Sequence, residues 1–249
     1  MVATFSAPYT PVETVLPVLR EHGFAVLAPT DVVALSGALP EALQALQSSW
    51  DDLHPDTYLK DAGNYRKRRH SCFIAESGAL RQVPHRAHWQ PKDYNALHGG
   101  MRRWFEPIDP SVVVAPAWPR LLLALADVCS QRMPVPRWHI EAHQFRIDTG
   151  DGIGRPTPEG AHRDGVDFVA VILVARHAIR GGETRVFEAD GPAGQRFTLS
   201  EPWSLLLLDD ARMIHETTPI QPIADPADGE GHRDTLVLTY RAAGFQGDN

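Results

Sequence analysis

The chain has 249 residues, of which 43% are hydrophobic and 22% charged, so it carries enough apolar side chains for a sizeable core and excludes disorder. Its formal net charge of −7 argues against a broad nucleic-acid or anionic-membrane surface, and no apolar run approaches the roughly 18 residues of a membrane span. Cys72 and Cys129 stand far apart without metal or redox spacing, and the N-terminus lacks the basic-then-apolar order of a signal peptide, which together predict a reduced, cytoplasmic protein.

In chain order, Phe24 to Ala28 is short, apolar and bounded by Gly23 and Pro29, as a strand would be. From Thr30 to Trp50 the residues Val32, Leu35, Leu39, Leu43, Leu46 and Trp50 recur at helical spacing, and Pro40 should either divide the stretch into two short helices or kink it. Trp118 to Cys129 predicts a further helix with Pro119 in its first turn. Beyond it the character changes. Arg137–Asp148, Val166–Val174, Trp203–Leu208 and Thr235–Tyr240 are β-branched and aromatic runs separated by Gly/Pro/Asp loops. Gly181 and Gly182 suit a tight hairpin turn, and Ala224–Gly231 is a polar insertion between strands. Strands after helices predict a mainly β (α+β) fold, a sandwich or jelly roll with helices packed on one sheet. We expect one domain over residues 1–249, helix-rich through 136 and with its β core at 137–243.

The segment Pro156–Val169 places His162 and Asp164 two residues apart, and on extended backbone such neighbours share a side. An imidazole and a carboxylate can then meet one ion. His215, 51 residues after Asp164, is the candidate third ligand from another strand. Two imidazoles and a carboxylate on one face leave open positions, the arrangement of non-haem iron(II) oxygenases. A structural zinc site would want a fourth ligand, often cysteine. Arg233 begins a later strand with Thr235 on the same face, a guanidinium fork and a hydroxyl suited to a carboxylate.

Together these residues resemble the 2-oxoglutarate/iron(II) dioxygenase superfamily, whose pattern is His-x-Asp, a distal His and then Arg-x-Ser/Thr on a double-stranded β-helix. The closer resemblance is to the bacterial family that contains L-isoleucine dioxygenase. It rests on HQFRI at His143, PTPEGAHRDGVDFV at Pro156, GGET at Gly181, LLDDARMIH at Leu207 and RDTLVLTYR at Arg233. The resemblance implies a cupin-like jelly roll, Fe(II) on His162, Asp164 and His215, and 2-oxoglutarate with its distal carboxylate on Arg233 and Thr235. It also implies O2 as co-reactant, succinate and CO2 as products, and hydroxylation of an unactivated C–H bond. Asp164 favours hydroxylation, because related halogenases lack that carboxylate. The gap from His215 to Arg233 is longer than in many members, and Arg146 is the next candidate for the clamp.

Gln144 and Arg146 share a strand face expected to line the barrel, with Gln144 against the cosubstrate. Asp209 or Asp210 is a candidate to orient a ligand histidine, whereas His139 and His143 read as structural. For a free aliphatic amino acid, Glu159 would pair with the ammonium and Arg66, Arg68 or Arg69 with the carboxylate. The bland reading of that basic run is a solvated strand edge. Phe73 and Trp89 are candidates for an apolar wall or for the core. Neither a nucleic-acid nor a membrane partner is expected, and a homo-oligomer is left open. The alternatives are the same chemistry on a peptide or other small metabolite, and a non-catalytic metal-binding jelly-roll sensor.

Overall fold

The computed structural model describes residues 5–60, 63–95, 97–223 and 230–248, so most of the Ala224–Gly231 insertion lies outside the described residues. A 3-10 turn at Val12–Thr14 leads into α1 (Val15–His22), which ends at Gly23, where φ of 76° is the left-handed cap that glycine takes without strain. β1 (Phe24–Leu27) follows. The helical stretch is divided at Pro40 into α2 (Pro29–Ser36) and α3 (Pro40–Gln44), followed by a 3-10 turn at Gln47–Trp50. Pro29 and Pro40 each open a helix, where their missing N–H would have had no partner. Then come β2 (His54–Pro55), β3 (Arg66–Glu76) and β4 (Ala79–Gln82). After an irregular segment, α4 (Pro110–Val114) and α5 (Ala117–Arg132) complete the helices.

The second half holds β5 (Arg137–Asp148), β6 (Phe168–His177), β7 (Ile179–Gly181) and β8 (Thr184–Glu188). It continues with β9 (Gly194–Phe197), β10 (Leu205–Asp209), β11 (Met213–Thr217), β12 (Ile220–Pro222) and β13 (His232–Arg241). The main antiparallel sheet runs β1-β10-β6-β13-β5-β3-β2 with β4 paired to β3, while β11-β8-β9 and β12-β7 form smaller sheets. This is the jelly roll. Its sheets meet over Val26, Val171, Leu173 and Leu206 from the large sheet and Val186, Phe197 and Met213 from the small one.

The helices cover the outer face of the large sheet. Trp118, Leu121, Leu122 and Leu125 of α5 share a core with Trp138, Ile140, Phe168, Leu236 and Tyr240. The Tyr240 hydroxyl donates to the Leu122 carbonyl at 3.0 Å, so this aromatic is buried with its polar end satisfied. The strands of the large sheet are therefore apolar on one face toward helices and mixed on the other toward the barrel interior.

Several sequence expectations need correction. The first half holds a long strand that was not expected in full: β3 spans Arg66–Glu76 and pairs along its length with β5. The main sheet thus draws β1 to β4 from outside 137–243. Trp203 lies before β10, in a turn with φ of 69°. Gly181 and Gly182 have positive φ but make no hairpin, because β7 pairs with β12 and β8 with β11. Gly181 is needed for close approach, since a Cβ there would lie 2.2 Å from the Pro219 carbonyl oxygen.

Candidate active site

The loop between β5 and β6 returns along β11. His162 and His215 exchange both backbone hydrogen bonds, N–H of His162 to O of His215 at 3.0 Å and the reverse at 2.9 Å. This bridge sets the two imidazoles side by side, with ring centroids 4.7 Å apart. Asp164, two residues on, brings Oδ1 to 3.9 Å from His162 Nε2 and Oδ2 to 3.8 Å from His215 Nε2. His162 Nδ1 donates to the Gly160 carbonyl at 2.9 Å, which places the ring's proton there and leaves the Nε2 lone pair facing Asp164. Burial, with His162 adding to it, holds His215 far below the ordinary imidazole range, so it is neutral, the form that ligates. For His162 burial acts downward too, but the Asp164 and Glu159 carboxylates outweigh it and raise the value.

The loop is held by a carboxylate. Asp210 accepts from the backbone N–H of Asp164 (3.0 Å), Gly165 (2.8 Å) and Val166 (3.1 Å). Gln246 Nε2 donates to the carbonyls of Asp164 (2.9 Å) and Gly165 (2.8 Å) from the other side. Gln90 Nε2 donates to Asp164 Oδ1 at 3.1 Å. Asp210 therefore fixes the backbone and not a histidine ring, and Asp209 pairs with Arg132 at 3.1 Å; the expected carboxylate–histidine contact is absent for both.

A cavity of about 110 Å³ opens beside these three side chains. β13 contributes Arg233 and Thr235 to its wall, both 3% exposed. Arg233 Nε and Nη2 are buried with no hydrogen-bond partner, and burial, with Arg176 adding to it, pushes the guanidinium down to about 10 against the pull of Asp234. A buried cation with two unused donors fits a carboxylate guest. The donor set of two imidazoles and one carboxylate likewise fits a non-haem iron with open positions.

The family model described as 2OG-Fe dioxygenase matches residues 47–239. The chain belongs to that family. This dioxygenase is 51% identical to a bsmA homolog from Methylobium petroleophilum PM1 whose crystal structure it matches over 100% of both chains with a TM-score of 0.92. It shares its fold with IDO from Bacillus thuringiensis, at 18% identity over 96% of this chain and 99% of that one, TM-score 0.74. It also shares it with the Fe(II)/α-ketoglutarate-dependent dioxygenase TqaL, at 19% identity over 92% and 86%, TM-score 0.71. A comparison with curated protein sequences gave no match. The protein is a 2-oxoglutarate-dependent dioxygenase that uses Fe(II), 2-oxoglutarate and O2.

The remaining candidates separate by strand face. On β5 of the dioxygenase, Glu141, His143, Phe145 and Ile147 line the cavity, while Trp138, Ile140 and Ala142 face the helices. Gln144 is on the helix side, donating to Ser49 Oγ at 2.7 Å, so it is withdrawn from the cosubstrate. Arg146 is on that side too, bonded to Asp234 at 2.7 Å and Asp51 at 2.9 Å, and is no substitute clamp. On β3, Arg66 and Arg68 point inward and are 5% and 3% exposed, which overturns the solvated-edge reading for them. Arg69 bonds Asp52 at 3.0 Å away from the cavity. Glu159 lines the cavity with Oε1 at 3.7 Å from His162 Nε2 and Oε2 buried without a partner. Phe73 packs in the core against Trp118, and Trp89 lies against Gly247.

Sequence reasoning missed Gln90, Asn95, His98 and Arg103, which reach the cavity from the irregular segment after β4. Such a segment has no period to read, and these residue types carry no spacing signature. It also set aside His143, whose alternation with Glu141 on β5 was the available signal.

Proposed function

We propose that this dioxygenase hydroxylates an unactivated C–H bond of a free aliphatic L-amino acid, releasing succinate and CO2. The observation that carries this is the pairing, in one small cavity, of an unsatisfied carboxylate, Glu159 Oε2, with unsatisfied guanidinium donors besides those of Arg233. That polarity suits a zwitterion. A cavity of about 110 Å³ is small beside the roughly 300–1,000 Å³ of ligand clefts, which favours a free small molecule over a peptide. The motif resemblance to the family branch containing L-isoleucine dioxygenase supports the same class.

In this reading His162, Asp164 and His215 hold iron, Arg233 and Thr235 hold the distal carboxylate of 2-oxoglutarate, and Glu159 holds the substrate ammonium. Arg68 takes the substrate carboxylate, whereas Arg66 is already paired with Asp56 at 2.7 Å. Bound iron and cosubstrate supply the oxygen-activating chemistry. The chain supplies orientation: Gly160 fixes the His162 tautomer, Asp210 fixes the loop, and Val171 and Val237 give the cavity apolar wall. Two buried free thiols support action in a reducing compartment, which we take to be the cytoplasm.

The test is succinate formation by anaerobically reconstituted Fe(II) protein exposed to oxygen with each free L-amino acid in turn. Stimulation by an aliphatic amino acid, with a product one oxygen atom heavier, is expected. Slow succinate release that no amino acid stimulates would move the substrate to another metabolite class. No succinate with iron bound would favour a non-catalytic sensor.

A further inference from the structure

A second group of chemistry-bearing side chains borders the same cavity. Glu141 Oε2 accepts from His70 Nε2 at 3.0 Å and His88 Nδ1 at 2.7 Å, and lies 3.9 Å from His143 Nε2. One ligand atom from each of these four residues falls within 4.8 Å of the others, so distance alone would admit a metal ion. The protons decide against it. Arg68 Nη2 donates to His143 Nδ1 at 2.6 Å. A guanidinium keeps its protons, so the neutral ring carries its own on Nε2, the atom a metal would need. Around the cluster the cations Arg66, Arg68 and Arg103 face the carboxylates of Asp56, Glu141 and Glu159. Buried guanidinium donors left without a partner call for an anion.

The donors for one are present. Arg68 and Arg103 are 3% and 2% exposed, both line the cavity, and the Nε of each is buried without a partner. The Arg68 guanidinium lies over the rings of Phe105 at 3.8 Å and Phe145 at 4.4 Å, which fixes its plane. Burial pulls it well below the ordinary range; Asp56 resists, while Arg66 and Arg103 add to the fall. Arg103 Nη2 donates to Gln90 Oε1 at 2.8 Å, and Gln90 in turn donates to Asp164. A single side chain thus links Arg103 to a candidate iron ligand.

We propose that Arg68 and Arg103 form a second carboxylate subsite, separate from Arg233, which binds the substrate's carboxylate, with Glu141 and its three imidazoles acting as positioning residues for Arg68. The subsite rests on the reading of the protein as an amino-acid hydroxylase. It adds Arg103 to the specificity-determining residues and assigns the imidazole cluster to anion recognition. Glu159, beside His162, would then hold the ammonium.

The experiment compares the amino acid that most stimulates succinate release with its carboxamide, in the reconstituted enzyme and in Arg103→Gln, Arg103→Lys and Glu141→Gln. The wild type should favour the acid over the amide by at least 100-fold in kcat/KM. Arg103→Gln should raise the KM for the acid at least tenfold and shrink the acid-over-amide preference by a similar factor, with Arg103→Lys in between. Glu141→Gln should raise the same KM more than it lowers kcat. An undiminished preference in Arg103→Gln overturns the subsite while leaving the amino-acid reading intact. If no amino acid stimulates the wild type, that reading fails and the subsite with it. Arg103→Lys keeps the charge should the glutamine variant fail to fold. Zinc content gives a separate check: one equivalent retained by Asp164→Ala and lost on adding His88→Ala would assign the cluster to a metal and overturn the proposal.

Discussion

At the residue scale, Asp164 joins two histidines that would otherwise share no anion, since its oxygens approach His162 and His215 separately. Asp164→Ala should abolish 2-oxoglutarate turnover and lower iron retention by more than the roughly 10–100-fold that loss of a mere supporting contact costs. Iron content after gel filtration checks it, and a variant that keeps its iron would remove Asp164 from the ligand set. Arg233 is a different case, because its unused Nε and Nη2 donors have no role in holding iron. Arg233→Ala should raise the 2-oxoglutarate concentration for half-maximal turnover at least tenfold and leave iron content near one equivalent. An unchanged requirement would place the clamp elsewhere. The neighbouring lesson concerns Gln144, chosen as a cavity residue although the strand's own alternation puts it with Trp138, Ile140 and Ala142 against the helices.

At the scale of elements, the site depends on a loop with no regular structure held by more hydrogen bonds than its exposure would suggest. Gly165 has φ of 77°, and a Cβ there would meet the Tyr94 ring at 2.6 Å. Gly165→Ala would therefore be strained twice, by backbone conformation and by contact. It should cost about 1–3 kcal/mol and loosen iron binding, because the same residue sits between the three N–H groups that Asp210 accepts. A melting temperature equal to wild type would show that the loop relieves both the Tyr94 contact and the backbone strain. β3 teaches the opposite point about legibility. Its Arg66–Arg69 run reads as a solvated strand edge because charge usually marks solvent, yet two of its arginines are buried by pairing with Asp56 and by aromatic faces.

At the scale of the whole molecule, the barrel interior is divided, apolar where Val169, Leu173, Phe197 and Leu206 meet and ionic at the cavity. Buried ions tie stability to pH. Burial would raise the Asp56 carboxyl, but Arg68 and Arg66 hold it below its ordinary value. A carboxyl lower in the folded than in the unfolded chain stabilises fully above about pH 3.9 and loses that contribution as pH falls through the folded value. Asp56→Asn should thus melt lower than wild type near neutrality, with the gap closing below about pH 4; a constant gap in a melting series would remove the ion pair as its cause. Burial also pushes the thiols of Cys72 and Cys129 upward. Both should resist a thiol reagent at about pH 8 in the native protein and react after denaturation. A thiol that reacts natively would mean that its core opens readily.

The sequence by itself determined the local chemistry: most strand and helix runs, the candidate His162/Asp164 pair and the Arg-x-Thr pair on β13, because spacing of two on extended backbone is a local rule. It also carried the family, through motifs whose order survives any detail of loops. Tertiary structure decided which face of β5 and β3 looks inward, since alternation gives two faces and only the packed helices choose between them. It alone brought Gln90 and Arg103 to the cavity, because their approach is set by the path of an irregular segment, and it alone buried Glu141, whose charge a linear reading assigns to solvent.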